Sequence, residues 1–121
     1  MIIKNGLVFQ EDGTFQKKDL YTENGFLVSS EKEVSDKTVI DASGLKVIPG
    51  LVDVHSHGAF GHDFCDADPE GLKTILKYEK EHGITSYCPT SMTLAKDRLI
   101  TIFSTPDKIQ ESPDLARIIG I

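Results

Sequence analysis

Two histidines one residue apart, His55 and His57, are the residues of this chain whose type and spacing could do chemistry. They close an apolar run, Leu51-Val52-Asp53-Val54, that opens on a Pro49-Gly50 turn. The run is short, β-branched and bounded by turn residues, which is the pattern of a buried strand. Side chains on a strand alternate between faces. His55 and His57 are therefore expected on one face with Leu51 and Asp53, and Val52, Val54 and Ser56 on the other. Residues two apart on a strand lie roughly 6.5–7 Å apart at Cα. Two imidazoles so spaced can converge on one metal ion at about 2.0–2.1 Å per metal–nitrogen bond. A strand buried on both faces has little reason to carry two imidazoles unless something satisfies their nitrogens. The pair is accordingly read as metal ligands rather than as two polar residues ending a core strand. Gly58 and Gly61 then let the chain turn sharply off the strand.

The flanking elements follow from local pattern. Residues 1–48 look all-β. Met1-Ile2-Ile3-Lys4 starts a strand, and Asn5-Gly6 signals a hairpin before Leu7-Val8-Phe9. Asp12-Gly13 and Asn24-Gly25 repeat that turn chemistry. Phe26-Leu27-Val28 and Thr38-Val39-Ile40 are further strands, and Ser43-Gly44 turns into Leu45-Lys46-Val47-Ile48. Short strands with such turns predict a small sandwich or meander, with no catalytic constellation in it. The texture changes over residues 49–121. Asp68-Pro69-Glu70 is a helix start: a cap, Pro at the first helical position, and an acid in the first turn. Leu72, Ile75 and Leu76 form its apolar stripe. Lys80 and His82 lie in its last turn and Gly83 ends it, which makes His82 a helix-end residue rather than a ligand. Ile84 to Pro89 reads as a second strand. Ala95 to Ile109 reads as a second helix with Leu99, Ile102 and Phe103 on one face, kinked or split at Pro106. Ile118 to Ile121 starts a third strand. Strand, helix, strand, helix, strand implies parallel pairing with right-handed crossovers, an α/β arrangement.

Three stretches carry a family likeness. Pro49-Gly50-Leu51-Val52-Asp53-Val54-His55-Ser56-His57-Gly58 resembles the first barrel strand of the amidohydrolase superfamily. Gly58-Ala59-Phe60-Gly61-His62-Asp63-Phe64-Cys65-Asp66-Ala67 resembles N-acetylglucosamine-6-phosphate deacetylases, as does Gly83-Ile84-Thr85-Ser86-Tyr87-Cys88-Pro89-Thr90-Ser91-Met92-Thr93. The likeness implies an N-terminal fragment: a sandwich-like β domain, then the first strands and helices of an incomplete TIM-type barrel. A complete barrel takes about 250 residues against the 121 present. The working face of such a barrel is at the C-terminal ends of its strands, where His55 and His57 lie. Asp53 lies deeper, either bonded to the metal shell or tied to backbone. Thr90, Ser91 and Thr93 are read as loop and cap residues at that face, and His62 as a solvated loop residue.

The likeness further implies deacetylation of N-acetylglucosamine 6-phosphate to glucosamine 6-phosphate and acetate, assisted by a divalent metal, zinc or iron. Only His55 and His57 carry over, both as metal ligands. The family's acid/base carboxylate and its remaining ligands fall outside these residues, so no catalytic residue is assigned and the fragment alone is expected to be inactive. Dihydroorotases and hydantoinases share the histidine core and are the nearest alternative; a non-catalytic structural fragment is the other.

Composition narrows the partners. The formal charge is −6, from 19 acids against 13 bases, with no basic run, so no nucleic-acid footprint is expected. No export signal or membrane-length apolar run is visible. Cys65 and Cys88 form no C-x-x-C and suit reduced thiols in the cytoplasm. Cys88 is read as a small core residue, and Cys65, near the histidines, as a second-layer or redox candidate. The expected partners are a phosphorylated amino sugar and a second copy of the chain in a homodimer, with no membrane.

Overall fold

In the computed structural model, which describes residues 1–121, the first strand, β1 (Ile2–Phe9), runs straight through Asn5-Gly6. That dipeptide makes a bulge instead of the expected hairpin. Asn5 adopts a left-handed φ of 64°, and the pairing slips by one residue between Ile3 and Gly6. Its backbone N–H donates to Asp19 Oδ1 at 2.9 Å, and its side-chain amide donates to Asp41 Oδ1 at 3.0 Å. Gly6 is required there because a Cβ would stand 2.6 Å from Val47 Cγ2.

The real hairpins form at the other two sites. Gly13 turns the chain into β2 (Phe15–Glu23), and Asn24-Gly25, with φ of 51° and 81°, makes the tight turn into β3 (Phe26–Val28). Two short strands, β4 (Val39–Asp41) and β5 (Lys46–Val47), then pair parallel to β1. All five strands join one mixed sheet around β1. Residues Met1–Pro49 form one compact unit and Gly50–Ile121 another.

The second unit begins with β6 (Leu51–Ser56) and a tiny hairpin of β7 (Gly58–Ala59) and β8 (His62–Asp63). α1 (Pro69–Glu81) follows, capped as its sequence requires: Asp68 accepts from the Glu70 and Gly71 amides at 3.1 and 3.0 Å. Leu72, Ile75 and Leu76 are buried with Phe64, Tyr87 and Ile102 in the core. β9 (Ile84–Pro89) occupies the expected residues. α2 is shorter than its pattern, Lys96–Phe103, because Pro106 starts a separate 3₁₀ turn over Pro106–Lys108. Phe103 leaves the expected apolar face and is exposed; Ile102 alone of that trio is fully buried. β10 (Arg117–Ile118) closes a parallel sheet of order β10-β9-β6.

Within residues 50–121, β6 lies at the edge of this sheet. Val52 and Val54 are 56% and 69% exposed. The sheet buries Tyr87 and Pro89 against the core, and no residue of this unit covers the opposite face of β6.

Candidate functional site

The histidine pair sits at the C-terminal end of β6, with His57 one residue beyond the strand. The ring centroids of His55 and His57 are 5.3 Å apart and the rings meet edge to face at 85°. His57 Nδ1 lies 2.9 Å from the Thr90 carbonyl oxygen. A carbonyl only accepts, so Nδ1 carries a proton, and in the neutral ring Nε2 then holds the lone pair. Thr90 is itself held in place, since its amide donates to the Ser56 carbonyl at 2.9 Å. The chain thus presents one imidazole with Nε2 free and its other nitrogen anchored, the orientation in which histidines usually bind a metal. The pair fits a metal as two of its ligands. No group of three His, Cys, Asp or Glu side chains gathers to complete a shell.

Asp53 does not share the histidines' face as strict alternation required. The pairing steps from Asp53–Tyr87 to Ser56–Pro89, three residues on β6 against two on β9, so a bulge interrupts the alternation. Asp53 stands opposite Tyr87, which is fully buried, and its Oδ1 accepts the His55 amide at 2.8 Å.

The other polar candidates have structural partners. His82 Nδ1 donates to the Tyr78 carbonyl at 2.7 Å at the end of α1, as expected of a helix-end residue. His62 is not a solvated loop residue: it pairs with Ala59 in the β7–β8 hairpin and packs on Gly71, where a Cβ would be 2.7 Å from its Nδ1. Thr93 does not cap α2, whose cap position is Ala95. The Cys65 sulfur accepts the Met92 amide at 3.2 Å, and Arg98 donates to the carbonyls of Cys65 and Asp66 at 2.6 and 3.0 Å.

Comparison with known proteins places this arrangement. No family model matches the chain. N-acetylglucosamine-6-phosphate deacetylase from Mus musculus is 32% identical over 89 residues, which are 67% of this chain and 22% of that enzyme. The enzyme of the same name from Lysinibacillus sphaericus is 29% identical over 99 residues, 80% of this chain and 26% of its own length. The chain is a relative of the N-acetylglucosamine-6-phosphate deacetylases. It spans only about a quarter of these deacetylases, 22% and 26%. A dihydroorotase from Carboxydothermus hydrogenoformans is 45% identical over 60 residues, 47% of this chain and 14% of that protein. Solved deacetylases of the same name share the fold. The one from Pasteurella multocida superposes with a TM-score of 0.76, covering 88% of this chain and 29% of its own at 19% identity. That from Thermotoga maritima gives 0.67, covering 89% and 27% at 20% identity.

Against the deacetylase likeness, one residue behind the histidine strand stands out that pattern reading passed over. Glu79 lies on the apolar stripe of α1, one turn on from Ile75 and Leu76, and is 5% exposed. An acid on that stripe was the available signal. Burial, and then the negative charge of Asp53, raise its pKa above the ordinary 4.5, and His82 opposes them. A carboxyl with a raised folded-state pKa favours folding fully below its unfolded value, and that contribution is lost as pH rises through the folded value. At neutral pH the ionised Glu79 is therefore a cost. Glu79→Gln is expected to stabilise the chain at pH 7 by on the order of 1 kcal/mol. The gain should shrink toward zero below the ordinary carboxyl range, as read from urea unfolding midpoints across pH.

Proposed function

We propose that this chain is the N-terminal part of a metal-dependent amide hydrolase that removes the acetyl group of N-acetylglucosamine 6-phosphate, releasing acetate and glucosamine 6-phosphate. The observation that carries the reading is the edge-to-face pair of His55 and His57, with His57 turned by the Thr90 carbonyl so that its Nε2 is free. An amide is a poor electrophile and neutral water a poor nucleophile; a bound zinc or iron ion lowers the pKa of water and polarises the carbonyl. In this division of labour His55 and His57 supply two imidazole donors. The Asp53 carboxylate and the Thr90 carbonyl hold the backbone and ring that carry them. The proton for the leaving amine comes from a carboxylate outside these residues.

Residues 1–48 are read as part of the β domain and 49–121 as the first part of the barrel, the parallel β6-β9-β10 sheet with α1 between its first two strands supporting the latter. We also infer a cytoplasmic, dimeric protein that binds no nucleic acid. The unpaired Cys65 and Cys88 support the compartment, and no helix is long and apolar enough to cross a membrane.

The second reading, a dihydroorotase-type ring hydrolase, is favoured by the 45% identity over 60 residues. Assays of the complete gene product carrying this sequence separate the two. Acetate release from N-acetylglucosamine 6-phosphate is expected, with none from residues 1–121 alone. Opening of dihydroorotate without acetate release would overturn the first reading.

A further inference from the structure

We infer that Asp53 is a positioning residue for the histidine pair: by accepting the His55 amide, its carboxylate holds the β6 bulge that sends both imidazoles to one side. Three observations converge. The Asp53 Oδ1 to His55 N distance is 2.8 Å, a short and local closure that an aspartate or asparagine makes with the amide two residues on. The bulge lies between Asp53 and Ser56, so Val54 and His55 together oppose the single residue Cys88. Burial follows the same division. Tyr87 and Pro89, the partners of Asp53 and Ser56, are buried on the core side. Val54 and His55 are exposed on the other.

The physical consequence is a change of phase along β6. Without an extra residue, Asp53, His55 and His57 would line one face together. With it, Asp53 turns to the core side while His55 and His57 keep company across Ser56. A bulge leaves backbone groups without ladder partners. The Asp53 carboxylate supplies the partner that the ladder does not. The hydrogen bond is the working element, because what the His55 amide needs from Asp53 is an acceptor oxygen two residues back.

Two variants divide the hydrogen bond from the charge. Asp53→Asn keeps an acceptor at the same reach and removes the charge. Asp53→Glu keeps the charge but adds a methylene that spoils the short closure. With ¹³C-labelled histidine the chain shows four histidine signals. Rings 5.3 Å apart give an NOE between His55 and His57. That NOE is expected to persist in Asp53→Asn and to be lost in Asp53→Glu. The affinity of the complete gene product for zinc, which rests on the metal reading above, is expected to stay within about threefold in Asp53→Asn and to fall about 10–100-fold in Asp53→Glu. Loss of the NOE in Asp53→Asn, its survival in Asp53→Glu, or its absence from the wild type overturns the inference. A complete wild-type enzyme in which the pair shows the NOE but which takes up no zinc overturns the metal reading and leaves the role of Asp53 standing. Should Asp53→Glu not fold, exchange of the His55 amide decides: slow in the wild type and in Asp53→Asn supports the bond, and fast in a folded Asp53→Asn overturns it.

Discussion

Replacing either His55 or His57 by alanine is expected to remove most of the bound metal and to lower acetate release by the complete enzyme by at least about 100-fold, since loss of even an outer partner of a metal ligand typically costs about 10–100-fold. Each histidine brings a nitrogen donor that alanine lacks, and the Asp53 and Thr90 contacts that orient them have no other imidazole to present. A site with one fewer ligand binds its metal far more weakly, because most of the affinity comes from several donors held together. The same substitution at His82 is expected to leave metal content unchanged. His82 ends α1, where its ring bonds the Tyr78 carbonyl and stacks 4.1 Å from the Tyr78 ring. Elemental analysis of purified variants, alongside acetate release, tests both halves. Wild-type metal and turnover in the His55 and His57 variants would show that the pair is not a ligand pair.

The second large effect concerns association. Residues 1–121 alone are expected to form dimers or larger species in solution rather than a monomer of 13.3 kDa. β6 is paired along one edge only, and a bare strand edge is a template for another chain. Its open face shows Val52 and Val54 more than half exposed. In the first unit, Phe26 and Leu27 are 75% and 69% exposed. Apolar surface of this kind favours association over hydration. Light scattering should report a mass at least twice that of the chain. Val54→Lys, which puts a charge on the open face of the edge strand, should shift the population toward monomer. A monodisperse wild-type monomer at high concentration would overturn this prediction, and one that also released acetate would remove the case for an incomplete site.

What could be read from the residues alone is what short-range rules decide. Asp68-Pro69 starts α1 because a carboxylate satisfies two bare amides and proline has none to lose. Pro106 splits the second helical segment because it cannot donate to the turn before it. Asn24-Gly25 makes a hairpin because both residues tolerate left-handed backbone. The histidine pair was legible for the same reason, a spacing of two at the end of an apolar run. The features that escaped are set by partners far along the chain. β2 reads as Phe-Gln-Lys-Lys-Asp-Leu-Tyr-Thr-Glu, with two adjacent lysines and no clean alternation; it is a strand because β1 and β3 pair on either side of it. Asn5-Gly6 carries the same chemistry as Asn24-Gly25 yet bulges, because β2 pairs with β1 on both sides of it. The exposure of β6 depends on which neighbours exist, which hydropathy does not encode. The bulge that parts Asp53 from the histidines comes from the register with β9. The free nitrogen of His57 comes from a carbonyl 33 residues away. Tertiary structure alone decided these, because strand register and the reach of a backbone acceptor are properties of two distant segments brought together, not of either one.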